Sequence, residues 1–484
     1  MNRVKLRDLI TILYGFAFKS SSYVDKSPYA LVTLANITES NNFVFNPNKT
    51  THYGGDFPED VILKTGDLIM PLTEQVIGLF GNSAFIPDVD GVTFVLNQRV
   101  GKVDVKAGKA DKYYMHYLLS TDVVRRQLEY RASGTRQRNI SRDDVYDVEV
   151  YVPCLDEQTR IGGLLYQIER GINLNNQIND NLQAMLATLY DYWFVQFDFP
   201  DENGKPYRSS GGKMVWNERL KREIPDGWKV ASIIDNPFAA VIKPGVSRFE
   251  TKTYLATADV NGTSMGSGTP VQYETRETRA NMEPSLHSVW FAKMKASVKH
   301  LFFSESTKPV VDSSILSTGF LGLQCNEISF EYISSFVSSP FFEVMKDQLA
   351  HGATQEAVNN DNLRFIPLLV PDERVVAAFH KKACESYWVM GGNVIENKTL
   401  TGLRDWLLPM LMNGQATVRQ PQANYRLHNK VQPVFAVALL PQFTMGVKRG
   451  KMELDRILEC NAATKITEFI RKRSLSFRMV PNRL

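Results

Sequence analysis

The chain has 484 residues, 43% of them hydrophobic and 22% charged, with a net charge of +4. That length exceeds a single hydrophobic core and implies two or three domains, while the apolar content excludes a disordered or fibrous chain. The longest apolar run, residues 434–440, is far too short to cross a bilayer as a helix, so no membrane-spanning segment is expected. Charge is unevenly spread: residues 413–484 hold thirteen Lys/Arg and four Asp/Glu, a local excess of +9 against −5 for everything before it. Cys154, Cys325, Cys384 and Cys460 form no CxxC pair, which argues against structural zinc or a disulfide framework and fits a reducing cytoplasm.

The first element, an apolar patch at residues 9–18, follows Arg7 and Asp8 too closely for a signal peptide and reads as a first strand or helix. Residues 29–37, 61–70 and 92–105 are rich in Val, Ile, Leu and Phe between Gly, Pro, Asn and Asp, and predict strands. A helix is predicted over 112–130, with Tyr113, Tyr117, Leu118, Val124 and Leu128 on one face. Residues 1–153 are therefore an α+β domain. After Pro153 the period changes. Ile161, Leu164, Ile168, Gly171, Asn175, Ile178, Leu182, Met185, Leu189 and Tyr192 step by threes and fours, a coiled-coil seam over more than four heptads. Asn175 either sits in that seam, where a buried amide fixes register, or faces solvent. From Ile161 to Trp193 the helix would be about 50 Å long at 1.5 Å per residue. One apolar stripe of that length needs a partner.

A partner is predicted at residues 372–412, where Val376, Phe379, Ala383, Met390, Asn393, Asn397, Leu400, Leu403 and Leu407 form a similar stripe. Between the two lie a polar, turn-rich linker at 200–213 and a second globular pattern at 216–371. The pattern is a duplication. Residues 114–153 align with 332–371 without a gap at an offset of 218, matching Tyr114, Ser120, Ala132, Gly134, Gln137, Asp143, Val152 and Pro153 to their counterparts, and Asn175, Asn179, Leu182 and Leu189 continue the match. Residues 254–260 resemble 32–37 at an offset near 223, so the length changes between the copies belong in loops. Residues 415–442 have weak periodicity, residues 452–473 predict an amphipathic helix, and neither has a counterpart after the first long helix.

Motifs for catalysis are mostly absent. A phosphate-binding loop would need Gly where Tyr207 stands and Ser or Thr where Met214 stands. The chain has no Pro-Pro dipeptide, which excludes the base-flipping motif of an adenine methyltransferase. Pro371, Asp372, Glu396 and Lys398 formally match a PD…ExK nuclease pattern, but 24 residues of helix would separate its halves by about 36 Å. The scattered histidines, His52, His116, His287, His300 and His351 among them, lack ligand spacing. A binding surface remains. The segment 131–142 gathers Arg131, Arg136, Arg138 and Arg142 with Gln137 and Asn139 around Gly134, residue types that fork onto bases or hold phosphates. The bland alternative is a solvated basic loop. In its counterpart, 351–362, Gly352 and Gln355 persist while Thr354 and Glu356 replace Arg136 and Arg138, as two domains reading different bases would show and as ordinary divergence would also produce. Further candidates are Lys19 in the first copy and Lys243, Arg248, Gln272, Arg276, Arg279, Lys295 and Lys299 in the second.

In their order, twice over, these segments resemble the DNA specificity subunits of type I restriction-modification systems. The resemblance rests on GFAFKSSSY at 15–23, KTGDLIM at 64–70, NQRVG at 97–101, SGTRQRNIS at 133–141, VPCLDEQTRI at 152–161 and LYDYWFVQFDF at 189–199. VWFAKMKASVKHLF at 289–302, HGATQE at 351–356 and NKTLTGLRDWLLPMLMNG at 397–414 continue it over about 410 residues. It implies target-recognition domains at 1–153 and 224–371, antiparallel coiled-coil spacer helices at 154–196 and 372–413, a linker at 197–223 and an extension at 414–484. It also implies a non-catalytic subunit that reads two halves of a split, asymmetric target in double-stranded DNA and scaffolds two methyltransferase subunits, with restriction subunits possible as further partners. The chain itself would carry no cofactor, S-adenosylmethionine belonging to those partners. A helix of about 50 Å matches roughly fourteen base pairs, enough to set half-sites about one turn apart. Lys382, Ser386 and Glu396 stand where the first helix has Leu164, Ile168 and Ile178, so the two stripes are less symmetric than that family implies. The other reading is a coiled-coil adaptor that assembles proteins without sequence-specific DNA binding.

Overall fold

The structure, a computed structural model, describes residues 1–38, 40–75, 77–352, 356–419 and 436–439. These divide into two compact units, residues 1–167 with the described residues after 404, and residues 168–404. The helix expected at 452–473 and Cys460 lie outside the described residues.

In the first unit, strand β1 (Asn2–Lys5) pairs antiparallel with β12 (Glu149–Val152), so the ends of the domain close on each other. The main sheet takes β2 (Ile10–Tyr14), β10 (Val100–Val105), β6 (Leu68–Pro71) and β8 (Ala84–Phe85) in the order β2-β10-β6-β8. All four residues of β6 are buried, as expected for a strand covered on both faces. A second sheet, in the order β3-β5-β4-β9, is built from β3 (Tyr23–Val24), β4 (Tyr29–Val32), β5 (His52–Tyr53) and β9 (Thr93–Leu96), with β4 and β9 parallel. A short pair joins β7 (Thr73–Glu74) to β11 (Arg138–Asn139). The helix expected over 112–130 is two helices, α1 (Lys112–Leu119) and α2 (Asp122–Arg131). Ser120 and Thr121 break it, their hydroxyls donating to the carbonyls of Tyr117 and Leu118 at 2.8 and 2.7 Å. The buried face runs through Tyr114, Leu118, Val124 and Leu128, leaving Tyr113 half-buried. Helix α3 (Arg142–Tyr146) precedes β12, and the long helix α4 (Leu155–Tyr190) follows it.

The second unit repeats this plan after a hairpin of β13 (Met214–Asn217) and β14 (Arg222–Pro225). β15 (Lys229–Ser232) pairs with β26 (Pro367–Val370) as β1 does with β12. β16 (Ala239–Val241), β25 (Phe320–Cys325), β22 (Ser288–Ala292) and β23 (His300–Phe303) form a four-stranded sheet in that order, matching β2-β10-β6-β8. The order β20-β17-β24-β21 forms the other sheet, from β17 (Lys252–Leu255), β20 (Thr269–Val271), β21 (Ala280–Met282) and β24 (Ser314–Ser317). Within it β17 and β24 are parallel, as β4 and β9 are. A small hairpin joins β18 (Val260–Asn261) to β19 (Ser264–Met265). Helices α5 (Lys308–Ser313), α6 (Phe330–Val337), α7 (Pro340–Gln348) and α8 (Asn360–Leu363) precede the second long helix, α9 (Glu373–Met412). Tyr29 and Lys252, which open β4 and β17, are 223 residues apart, whereas Glu149 and Pro367, which open β12 and β26, are 218 apart. Each copy is an α+β domain ending in a long helix.

α4 has 36 residues, about 54 Å at helical rise, and ends in a single π turn at Asp191–Val195. Tyr190, Trp193 and Phe194 there pack into the core of the second domain, with Phe194 4.6 Å from Tyr332 and 5.1 Å from Phe379 between ring centres. The central stretches of α4 and α9 meet through asparagines. Asn175 Nδ2 donates to Asn397 Oδ1 at 2.8 Å, and Asn393 Nδ2 donates to Asn179 Oδ1 at 2.7 Å. At the 218 offset Asn175 corresponds to Asn393 and Asn179 to Asn397, so each asparagine bonds the counterpart of its neighbour. That crossing pattern is what a local two-fold between two antiparallel helix stretches produces. Asn175 is fully buried, in the seam and away from solvent.

The rest of the predicted stripe shifts. Met185 is 64% exposed while Leu186 is buried, and Ile178 is half-buried where Asn179 is buried. Leu164 likewise yields to the buried Leu165, so Lys382, the counterpart of Leu164, is an exposed residue beside the buried Ala383. In α4 the buried positions Asn175, Asn179, Leu186 and Tyr190 repeat at eleven residues, and in α9 Val376, Phe379, Tyr387 and Met390 do the same. An eleven-residue repeat is close to the 3.6-residue turn of a straight helix, whereas a heptad drifts off it. Ile161, Ile168, Leu400 and Leu407 are buried as expected; Leu182, Leu189 and Leu403 are partly buried.

Replacing Asn393 by Leu removes the donor to the buried Asn179 Oδ1 and should lower stability by about 1–3 kcal/mol. Replacing both should recover most of that loss. Denaturant unfolding of N393L and N179L/N393L checks this; a double variant no more stable than the single contradicts the pairing.

Candidate nucleic-acid interface

The basic segment of the first domain begins where α2 ends and is shaped by Gly134. This residue has φ +110°, and a Cβ there would lie 2.2 Å from the Gln137 carbonyl oxygen. The chain then turns back so that Ser133 and Asn139 pair. Its counterpart, Gly352, also has positive φ, and His351 pairs with Ala357 at the same offset of 218. The loop closes on α3, where Ser141 caps the helix, its hydroxyl accepting from Asp144 N at 3.1 Å. Tyr14 Oη accepts from Arg142 N at 2.6 Å, and the Arg142 guanidinium lies 5.6 Å above the Tyr14 ring.

The candidates of this loop divide. Arg131 donates to the carbonyls of Gln127 and Asp147 and closes the end of its own helix. Arg138 forms an ion pair with the buried carboxylate of Glu74 and lies over the Phe80 ring. Asn139 Oδ1 accepts from Thr73 Oγ1 at 2.8 Å and from Gln137 Nε2 at 3.3 Å. Arg136 is exposed. Glu74, which holds the loop, carried no signal in its own neighbourhood of the sequence. Arg138 and its counterpart Glu356 differ in charge, and each is engaged in an ion pair. Thr354 and Gln355 lie outside the described residues.

In the second domain the chain between β22 and β23 carries Lys295 and Lys299. Lys295 pairs with Glu356 at 2.6 Å, and Lys299 Nζ donates to the Thr257 carbonyl at 2.6 Å. The tip of this hairpin is held from below by Lys346, fully buried, which donates to the Ser297 carbonyl at 2.9 Å and to Glu343 at 2.6 Å. His300 Nε2 lies 2.9 Å from the other Glu343 oxygen. Burial pushes the Glu343 carboxyl up, but the bonds from His300 and Lys346 outweigh it and hold the group below the usual carboxylate range. Other candidates group on the sheet that contains β17 and β20. Arg248 pairs with Glu274 at 3.0 Å beside Gln272, and Arg276 stacks 4.1 Å from the Tyr273 ring centre. Lys243, Arg279 and, in the first domain, Lys19 are exposed.

Nothing in this arrangement assembles the nuclease pattern. Asp372 is bound by Arg374, and Lys398 lies 26 residues further along α9. Among the described residues no group of three His, Cys, Asp or Glu is placed to hold a metal ion, and no helix is long and apolar enough to cross a membrane.

The fold and these loops define a duplicated α+β protein that presents two similarly framed, differently charged surfaces. Residues 1–184 match the model of the type I restriction modification DNA specificity domain. The MjaIX specificity subunit of Methanocaldococcus jannaschii is 20% identical over 341 residues, 67% of this chain and 73% of that one. The HindI specificity subunit of Haemophilus influenzae is 22% identical over 338 residues, 58% of this chain and 72% of that one. The MjaVIII specificity subunit of M. jannaschii is 26% identical over 184 residues, and the chain spans only 42% of its length. Among solved structures, the type I restriction-modification S subunit from M. genitalium aligns over 85% of this chain and 96% of its own, with 14% identity and a TM-score of 0.49. These similarities are to specificity subunits of type I restriction-modification systems, and the family model matches over residues 1–184.

The buried Glu343 pair gives a pH-dependent prediction. Because its folded pKa is depressed, its stabilisation is full above the ordinary carboxylate range and is lost as pH falls through the lower folded value. E343Q should cost about 3–5 kcal/mol at neutral pH, leaving Lys346 buried and uncompensated. Thermal melts from pH 7 to pH 3 should show the difference from the natural chain shrinking; a constant difference contradicts the assignment.

Proposed function

We propose that the chain is the non-catalytic DNA-recognition subunit of a cytoplasmic type I restriction-modification complex, each α+β domain reading one half of a split, asymmetric target. The observation that carries this reading is the repeated loop frame. Gly134 and Gly352 turn the chain in the same way after α2 and α7, and the residues around them differ in charge. Arg136, Gln137 and Arg142 in the first domain, and the basic groups around β17 and β20 in the second, are the residues proposed to face duplex DNA. Most of them would hold phosphates, since half or more of protein contacts to DNA go to the backbone. Two methyltransferase subunits are the proposed partners, bringing S-adenosylmethionine and the chemistry; this chain needs no cofactor of its own. Restriction subunits would join the same assembly. Each domain carries one long helix, and the residue count of α4 is proposed to set the spacer between half-sites.

Exchanging residues 1–153 for the recognition domain of another specificity subunit should change one half of the methylated sequence only. Sequencing of methylated DNA reads this, and a change in both halves or in neither refutes the modular reading. Lengthening α4 by one heptad should alter the spacer while both half-sites persist. R136Q should weaken binding to target duplex and reduce the salt dependence of log K by about one unit of slope, as loss of one phosphate contact does. An unchanged slope removes Arg136 from the interface.

A further inference from the structure

The loop of each domain is fastened to the main sheet by the same backbone bond. Ile140 N donates to the Leu72 carbonyl at 3.0 Å in the first domain, and Val358 N donates to the Lys293 carbonyl at 2.9 Å in the second. Two residues before each donor, and two after each acceptor, stand the partners of an ion pair. In the first domain these are Arg138 and Glu74; in the second they are Glu356 and Lys295. The position is shared and the polarity is reversed. We infer that these pairs are one latch, copied with the domain and inverted in charge, that positions the recognition loop without contacting DNA.

The surroundings of the pair support a positioning role. The Glu74 side chain is 1% exposed, and its second oxygen accepts from the backbone of Leu79 and Phe80 at 3.0 and 3.2 Å. The carboxylate therefore ties residues 79 and 80 and the loop to one point. Arg138, held by that carboxylate with its guanidinium over Phe80, does not present a free fork to a base. The second domain keeps an ion pair at the same place with Glu356 in the position of Arg138, so what the two copies share is the pairing and not the cation. An ion pair contributes no net charge, so its polarity is free to invert if its task is to hold two strands together. In the second domain both partners are about half exposed, and a backbone bond from Lys295 N to the Glu356 carbonyl at 2.9 Å accompanies the pair. The latch there is the weaker one.

This inference rests on the reading of the loops as DNA-facing, and the test separates the two. The full chain is assembled with its methyltransferase subunits, and binding to duplex carrying the methylated sequence is measured across a salt series for R138Q, E74Q/R138Q, K295E and K295E/E356K, with R136Q alongside. R138Q should lose at least tenfold in affinity with an unchanged salt slope, and E74Q/R138Q should regain most of it because no carboxylate is left unpaired. K295E should weaken binding by a smaller factor, and K295E/E356K should restore it. A salt slope reduced by about one in both R138Q and E74Q/R138Q, with no recovery in the double variant, overturns the latch and makes Arg138 a DNA contact. R138Q binding as tightly as the natural chain also overturns it. If R136Q leaves the slope unchanged while the Arg138 variants behave as a latch, the DNA-facing assignment of Arg136 fails and the latch stands.

Discussion

The rest of the second unit depends on the buried amides between α4 and α9. An asparagine in an apolar seam costs stability unless its donors and acceptors are met, and here they are met only in one register. Asn175 finds Asn397, and Asn179 finds Asn393. Sliding one helix by a single turn would break both bonds and bury the amides unpaired. Because each amide bonds the counterpart of its neighbour, the register fixed between these two helix stretches of the second unit is also a symmetric one. The eleven-residue spacing of the buried positions keeps one face of each helix turned to the other without the drift of a heptad.

On that scaffold the domains divide their work between frame and loop. The frame is the pairing of first and last strands, the two four-stranded sheets and the parallel pairing of β4 with β9 and of β17 with β24. The loops after α2 and α7 keep a glycine at positive φ and a fixed point of attachment to the main sheet, and they exchange the charges around it. The proposed reading of two unlike half-sites needs this separation, since a change in a loop tip then leaves the core intact.

Much of this was legible in the sequence. Gly, Pro and Asn matches at a constant spacing exposed the duplication because those residues are dictated by backbone geometry or by burial of amides, which survive divergence. The strands and the long helices followed from periodicity, while Asn175 was left open between the seam and solvent until the fold buried it. The seam itself was displaced at Leu164, Ile178 and Met185, since an apolar residue beside the true stripe looks the same as one within it over a few turns. The break at Ser120 and Thr121 was hidden because their hydroxyls replace backbone bonds locally. The site was less legible. Glu74 is 64 residues from Arg138, and nothing local marks it as a partner; only the fold brings β7 beside β11. Arg138 therefore read as one basic residue among several in its loop, and its pairing with Glu74 emerges only in the fold.

Sequencing of methylated bases in the DNA of cells that express this chain with the methyltransferase subunits proposed as its partners tests the central claim most directly. The account predicts a split motif of two dissimilar half-sites, separated by a spacer of fixed length near one turn of DNA, that disappears when the chain is removed. A contiguous motif, or methylation unaffected by loss of the chain, contradicts it.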